Sequence, residues 1–432
     1  MIDVLIRGGR VVDATGDRRA DVLVRDGVVA AVEPSIDGPA GAVVLDAGGC
    51  VVAPGLVDLH THLRQPGREE AETVETGSRA AALGGFTVVV AMPNTEPAID
   101  SAAVVREVLE LGANALCDVR PAGAITKGRR GEELAPLAEM AALGVRLFTD
   151  DGRGVQDARL MRRALEYASA LRVVLAQHCE DERLAAGGHM HEGEWSSRLG
   201  IPGVPAQAEE LMVARDLALA RLTGGRVHFQ HLSTSGSVAL VRAAKAAGDA
   251  GGGAGFVAVT AEATPHHLSL TDASVAGYDP VFKVNPPLRS PSDVAAVRAG
   301  LADGTVDAIA TDHAPHAQED KELPFDQAPP GMIGLETALA VALTDLDLPI
   351  ERVLALLSWQ PARIAGVDGG PVAEGRPADL CVVDPADVWL VERERTASRS
   401  RNTPFAGRKL TGRVRHTVFR GEPVVVDGEA QR

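Results

Sequence analysis

Val57-Asp58-Leu59-His60-Thr61-His62-Leu63-Arg64 places two histidines and an arginine in one apolar stretch that is typical of a β-strand. Side chains two positions apart in a strand point to the same side. His60 and His62 can therefore bind one metal ion together, with the guanidinium of Arg64 just beyond them. Histidine pairs on strands also occur in purely structural roles, so a metal site requires further ligands elsewhere in the chain.

Similar β-branched stretches recur from about residue 54 onward, separated by amphipathic helical patterns and glycines. This alternation is typical of a parallel sheet built from βα units. Eight such stretches, with helices predicted at residues 209–222 and 237–247, indicate an α/β fold of the (β/α)8 TIM-barrel type, whose chemistry lies at the carboxyl ends of the strands. The predicted strands are residues 56–62, 87–92, 118–125, 145–149, 173–178, 227–231, 256–262 and 308–312.

The two ends of the chain predict a second, smaller domain. Residues 1–53 and 367–432 both contain short strands separated by turn residues. The string at residues 7–13 also resembles the string at residues 420–427. We therefore expect the barrel over residues 54–366 and a small β-sandwich domain that the N- and C-terminal segments form together.

Composition excludes several classes of partner. The chain has 432 residues, 45% of them hydrophobic, and a formal net charge of −16, which argues against nucleic acid or an anionic membrane surface as the main partner. Its four cysteines show no Cys-x-x-Cys spacing, so we expect no disulfide framework and a reducing compartment. No apolar run is long enough to span a bilayer, which predicts a cytoplasmic protein. The glycine-rich residues 251–255 are interpreted as a surface connection.

Further candidate metal ligands follow other predicted strands. Asp150-Asp151, His178, His231 and Asp312 each stand at the end of an apolar stretch. Imidazoles and carboxylates together suit zinc or a similar divalent ion, and a shared carboxylate can bridge two ions. Since the carboxyl ends of barrel strands lie at one face, we expect these side chains to form one site. His228, in contrast, is interpreted as a packing residue.

Three longer strings carry a resemblance to a known family. Pro54 to Arg64, Ala91-Met92-Pro93-Asn94-Thr95 and Ala310 to His316 together resemble the dihydroorotases of the amidohydrolase superfamily. Phe148-Thr149-Asp150-Asp151-Gly152 resembles the bacterial type, in which an aspartate replaces the carboxylated lysine that bridges the metals in other members. The resemblance spans nearly the whole chain. It implies reversible interconversion of N-carbamoyl-L-aspartate and L-dihydroorotate in pyrimidine synthesis.

The resemblance also implies a set of metal ligands and a base. One Zn²⁺ would be held by His60, His62 and Asp312, a second by His178 and His231, and Asp151 would bridge them, with two ions favoured over one. Asp150 is the rival for the bridging position. Arg146 is aligned with the lysine of the other members, and an arginine cannot form a carbamate. Asp312 is the candidate general base and acid for attack on the ring amide by metal-bound hydroxide.

Substrate contacts follow from the same resemblance. Dihydroorotate carries a carboxylate, which the planar fork of Arg64 matches and to which Asn94 can add a hydrogen bond. Pro330 stands where the family pattern has a phenylalanine, so its contact is expected through the backbone. The implied substrate-binding residues are His62, Arg64, Asn94, Asn285, His316, Pro330 and Gly331. A homodimer and a complex with aspartate transcarbamoylase are both left open.

Two other functions stay in competition with this interpretation. A hydantoinase, dihydropyrimidinase or allantoinase would use the same metals on a different ring, and such substrates generally need no clamp for a free carboxylate. An inactive scaffold that only assembles with aspartate transcarbamoylase would have lost metal ligands. Every implied ligand is present here, which counts against the scaffold.

Overall fold

A computed structural model describes residues 3–250 and 259–432 of the chain. The predicted connection at residues 251–255 and the beginning of the predicted strand at residues 256–262 lie outside the described residues. The described part is a mixed α/β structure in which parallel strands and helices alternate, flanked by strands from both ends of the chain.

Eight parallel strands, which we label β1 to β8 in chain order, lie at the eight predicted positions. They are β1 Leu56–Thr61, β2 Phe86–Ala91, β3 Asp118–Pro121, β4 Leu147–Phe148, β5 Val174–Gln177, β6 Arg226–Phe229, β7 Val259–Ala263 and β8 Ala308–Ile309. Several predicted strands were too long at their carboxyl ends. The backbone leaves the extended conformation there, with a φ of 33° at His231 and 44° at Asp312.

The eight strands pair in chain order. β1 to β3 form one parallel sheet and β4 to β8 form another. Parallel bridges from Gly123 to Phe148 and from Thr61 to His313 join the two sheets at both of their edges. Because every pairing is parallel, the carboxyl ends of all eight strands lie on the same side.

Helices connect the strands and cover the sheet. Buried Phe86 of β2 and Leu175 of β5 pack in one apolar cluster with Val105 and Leu165 from two of these helices. The predicted helices lie within Gln207–Thr223 and Ser235–Ala250. The helices are Val74–Leu83, Ala102–Leu111, Leu137–Ala142, Ala158–Leu171, Glu182–Ala185, Glu194–Leu199, Gln207–Thr223, Ser235–Ala250, Pro265–Ser269, Pro291–Asp303, Gln318–Lys321, Ala338–Asp345, Ile350–Leu357 and Trp359–Ala365.

Local sequence accounts for where some of these helices begin. The side chain of Thr73 accepts a hydrogen bond from the backbone N–H of Thr76 and so caps Val74–Leu83. Ser290 and Asp293 form a reciprocal capping box at the start of Pro291–Asp303, whose first residue is a proline. These caps satisfy backbone donors that would otherwise lack a partner at a helix start.

The two ends of the chain contribute to two further sheets. One contains Val4–Arg7, Asp21–Arg25, Val28–Glu33 and Val43–Asp46. The other contains Arg10–Asp13, Gly16–Arg19, Val51–Pro54, Leu380–Leu390, Lys409–Phe419, Glu422–Val426 and Glu429–Ala430. Val51–Pro54 pairs antiparallel with Leu380–Leu390, so the N- and C-terminal segments share one sheet. Val4 and Ile6 of the first sheet pack with Val52, Val382 and Val418 of the second.

None of the described helices combines the length and the apolar character that crossing a bilayer requires. The four cysteines are buried and free.

Candidate active site

The candidate metal ligands converge at the carboxyl ends of the parallel strands. His60 is the second-last residue of β1 and His62 follows the end of that strand, while the remaining candidates stand just beyond β4, β5, β6 and β8. All six side chains are buried: His60, His62, Asp151, His178, His231 and Asp312. The structure therefore brings together residues that are up to about 250 positions apart, as the strand order predicts.

Asp151 lies at the centre of this cluster. One carboxylate oxygen, Oδ1, lies 3.3 Å from Nε2 of His60, and the other, Oδ2, lies 3.5 Å from Nε2 of His62. Oδ1 also lies 3.7 Å from Nδ1 of His178 and 3.7 Å from Nε2 of His231. Two groups of three ligand atoms thus form, and Asp151 belongs to both. This is the arrangement that a bridging carboxylate requires.

Asp150 faces away from the cluster. Its Oδ1 accepts hydrogen bonds from the backbone N–H groups of Ile125 and Thr126, at 2.9 and 3.0 Å, and its Oδ2 accepts one from the Thr126 hydroxyl. These bonds connect the loop after β3 to the loop after β4. Asp150 therefore stabilises the loop after β3, whereas its neighbour Asp151 contacts the four imidazoles.

Arg146 does not lie near the cluster. It precedes β4, and its Nη1 donates to the backbone carbonyls of Ala141 and Val145 at the amino end of that strand. Arg146 thus has no part in the candidate metal cluster, which leaves Asp151 as its bridging group. Residues at the amino and carboxyl ends of one strand face opposite ends of the sheet, and only the carboxyl end carries the imidazoles.

The donor set fits divalent metal ions. Nε2 of His60, the ring nitrogen directed at the cluster, is buried and has no hydrogen-bond partner among the described residues, which is costly unless another group occupies that position. Burial by itself lowers the pKa of His60, but Asp151 and Asp312 outweigh it and raise that pKa well above its usual value. A group of buried carboxylates that stabilises positive charge in this way also favours a bound cation.

Glu262 is a functional residue that the sequence analysis missed. It is fully buried on β7, and its carboxylate lies 2.9 Å from Nδ1 of His60 and 2.9 Å from Nε2 of His228. Burial by itself raises the pKa of Glu262, but the hydrogen bonds from both histidines outweigh burial and lower the pKa to about 2. By accepting from Nδ1, Glu262 leaves Nε2 of His60 directed at the cluster. His228 is thus a partner of this carboxylate and more than a packing residue.

Replacing Glu262 by Gln is expected to weaken metal binding by about 10- to 100-fold, because a neutral amide orients His60 less strongly and makes it a poorer ligand. Competition with a chromophoric chelator measures this change. Glu336→Gln is the control, since Glu336 binds the backbone of Ala397 and Ser398 instead of the cluster. An unchanged dissociation constant in Glu262→Gln would contradict the orienting role.

Arg64 is positioned beside the cluster. It is 7% exposed, has a positive φ of 60°, and its Nε donates to the carbonyl of Pro315 at 3.0 Å, which fixes the plane of the guanidinium. Burial lowers the pKa of Arg64 to about 10, so the side chain stays charged at neutral pH. Asn94 contacts the cluster itself, with Oδ1 2.8 Å from Nδ1 of His62. A buried cation beside the cluster is suited to a carboxylate ligand.

The other predicted substrate residues lie around the same site. Nε2 of His316 lies 2.9 Å from the carbonyl oxygen of Pro330. Gly331 has a φ of 147°, and a Cβ there would lie 2.7 Å from Nε2 of His316, so only glycine fits. Asn285 donates through Nδ2 to Glu180 at 3.2 Å and lies 3.5 Å from Nε2 of His178. The carbonyl group of Pro330 thus contacts His316.

Comparisons with known proteins show what the whole chain resembles. A family described as dihydro-orotase-like matches residues 49–237. The dihydroorotase of Pelotomaculum thermopropionicum is 50% identical to the chain, over 98% of the chain and 99% of that protein. The dihydroorotase of Streptomyces coelicolor is 51% identical to the chain, over 99% of the chain and 100% of that protein. Among solved structures, the L-hydantoinase (dihydropyrimidinase) from Arthrobacter aurescens superimposes with a TM-score of 0.87 at 27% identity, covering 100% of this chain and 98% of that one.

The fold and the site define a hydrolase of the amidohydrolase type, with a histidine–aspartate cluster suited to metal ions. Within that class, full-length identities of about 50% decide the family. The chain belongs to the dihydroorotase family. The predicted membership, and with it the expectation of a cyclic amide hydrolase, is confirmed.

Proposed function

We propose that this enzyme interconverts N-carbamoyl-L-aspartate and L-dihydroorotate, using two Zn²⁺ ions. One observation carries the proposal: a buried arginine, Arg64, lies two residues beyond a ligand of a cluster in which Asp151 is shared by four imidazoles. The cluster suits hydrolysis of an amide, and the arginine suits a ring that bears a carboxylate. The four buried free thiols fit the expected cytoplasmic location.

We also infer that the eight parallel strands close into a (β/α)8 barrel over residues 54–366, beside a β-sandwich domain of residues 1–53 and 367–432. The bridges at both edges of the two parallel sheets support the closed barrel. The antiparallel pairing of Val51–Pro54 with Leu380–Leu390 supports a domain assembled from both termini.

The metals would be held by six residues, of which Asp151 would bridge. When bound, such ions supply a Lewis acid for the amide carbonyl and lower the pKa of a bound water towards ~7. The chain's own residues then move the proton. Oδ1 of Asp312 lies 3.0 Å from Nε2 of His62 and 3.4 Å from Nε2 of His60, so this carboxylate lies beside the reacting position. Asp312 takes a proton from the attacking water and passes it to the ring nitrogen that leaves.

The same residues serve the reverse direction. During ring closure, Asp312 removes the proton from the carbamoyl nitrogen and returns it to the departing oxygen, as microscopic reversibility requires. Arg64 and Asn94 hold the substrate carboxylate, while His316, Asn285 and the backbone of Pro330 and Gly331 position the rest of the ring. These contacts hold the reacting amide in one orientation, which reduces the entropy that must be lost in the transition state.

A hydantoinase is the competing function, because a solved hydantoinase has a closely similar fold. Replacing Arg64 by Met separates the two functions. We expect kcat/KM for dihydroorotate to fall by about 100-fold or more, because a charge-assisted bidentate pair is lost, while any turnover of a neutral cyclic amide such as hydantoin is spared. Initial rates with both substrates measure the ratio.

Arg68→Met is the matched control for this test. Arg68 lies on the same loop, but its side chain is 39% exposed and pairs with Glu70 and Asp320 at the surface. It should retain nearly full activity on dihydroorotate, since surface ion pairs contribute little. Loss of hydantoin turnover with dihydroorotate turnover intact in Arg64→Met would favour a hydantoinase.

A further inference from the structure

A lysine outside the metal cluster connects the segments that surround the proposed substrate site. Lys321 ends the short helix Gln318–Lys321. Its Nζ donates to the backbone carbonyls of Pro280 at 3.1 Å, Lys283 at 3.3 Å and Pro329 at 2.8 Å. An ammonium group has three donors, and these contacts use all of them. Lys321 therefore joins three stretches of chain that are separate in sequence.

Each of these stretches carries a residue of the proposed substrate site. Lys283 precedes Asn285 by two positions, Pro329 precedes Pro330 and Gly331, and Lys321 follows His316 by five positions. The stretches also contact each other directly. The N–H of Gly331 donates to the carbonyl of Lys283 at 2.9 Å, so that one carbonyl accepts from both Gly331 and Lys321.

The buried ammonium group of Lys321 depends on these three hydrogen bonds. Burial, together with the nearby charge of Lys283, lowers the pKa of Lys321 to about 7. A partly desolvated ammonium group is costly unless its donors are satisfied, so the three carbonyls and the lysine hold each other in place. Hydrogen bonds from a charged donor are also stronger than those from a neutral one.

We propose that Lys321 is a positioning residue that fixes Asn285, His316 and Gly331 relative to one another for substrate binding. The inference rests on the proposed function, since these three residues are its substrate contacts. Lys321 binds backbone carbonyls on the segments around the substrate ring, whereas the metal cluster acts on the reacting amide. Loss of Lys321 should therefore weaken substrate binding equally in the ground state and in the transition state, so KM rises while kcat changes little.

Lys321→Met tests the proposal, because methionine keeps the apolar stem and removes the charge and the donors. We expect KM for dihydroorotate to rise roughly tenfold while kcat changes by less than about threefold. Lys321→Arg keeps a charge and several donors and is expected to recover most of the lost affinity. Hydrogen exchange in peptides covering residues 318–331 should become faster in Lys321→Met than in the wild type.

Lys245→Met is the matched control. Lys245 is also partly buried and donates to the carbonyl of Gly304 and to Asp307, near the amino end of β8 and away from the cluster. The Lys245→Met variant should have a lower thermal stability and an unchanged KM for dihydroorotate. A KM in Lys321→Met within twofold of that control, or an equal rise in Lys321→Met and Lys321→Arg, would overturn the proposal. A wild-type enzyme that did not turn over dihydroorotate would instead reject the proposed function.

Discussion

Asp312→Asn is expected to lower kcat for dihydroorotate hydrolysis by about 10³-fold, within the range that a positioned general base contributes. The amide of asparagine can still lie beside His60 and His62, but it cannot accept the proton of the attacking water. Steady-state kinetics measure the fall. Metal content in the same samples separates loss of the base from loss of an ion.

Asp307, a second carboxylate next to β8, provides the control. Asp307 precedes β8 at its amino end, where it accepts from the N–H of Ala261 and pairs with Lys245. Asp307→Asn should reduce stability with little change in kcat. If Asp312→Asn kept more than about a tenth of the wild-type kcat at full metal content, Asp312 would not be the base.

Asp151→Asn is expected to reduce bound zinc from about two ions per chain to about one, and kcat/KM by at least about 100-fold. Asp151 lies within 3.7 Å of all four imidazoles, so it is the residue through which both ions would be connected. Asparagine is neutral and offers one carbonyl oxygen, so it bridges poorly. Elemental analysis after gel filtration gives the metal content.

Asp150→Asn is the neighbouring control for this prediction. Asparagine can keep one oxygen on the backbone N–H donors of Ile125 and Thr126, but its NH2 group replaces the oxygen that accepts from the Thr126 hydroxyl, at a cost of about 1–3 kcal/mol in the free energy of unfolding. It should therefore lower thermal stability and leave both ions bound. The opposite pattern, with metal lost in Asp150→Asn and retained in Asp151→Asn, would reverse the assignment of the two aspartates.

Much of the framework was predictable from local sequence. The positions of the eight parallel strands follow from the recurrence of β-branched stretches, and the candidate ligands follow from polar residues at the ends of those stretches. The exact strand ends were not predictable, because His231 and Asp312 adopt positive φ values that the surrounding structure imposes.

Contacts between distant residues were the least predictable part of the site. Glu262 interacts with His60 from a position 202 residues away. A charged residue inside a stretch predicted to be a buried strand was the available signal, since buried carboxylates need partners. The orientation of Arg146 was not predictable either, because a motif gives a position along the strand but does not show which end of the sheet the side chain faces. Lys321 had no motif, since its partners are backbone carbonyls.

Zinc-dependent ring opening by the purified enzyme is the most direct test of the central claim. The wild-type protein, loaded with zinc and given L-dihydroorotate, should produce N-carbamoyl-L-aspartate. A chelator should abolish the reaction, and added zinc should restore it. A folded protein with both zinc ions bound that leaves dihydroorotate unchanged would contradict the account.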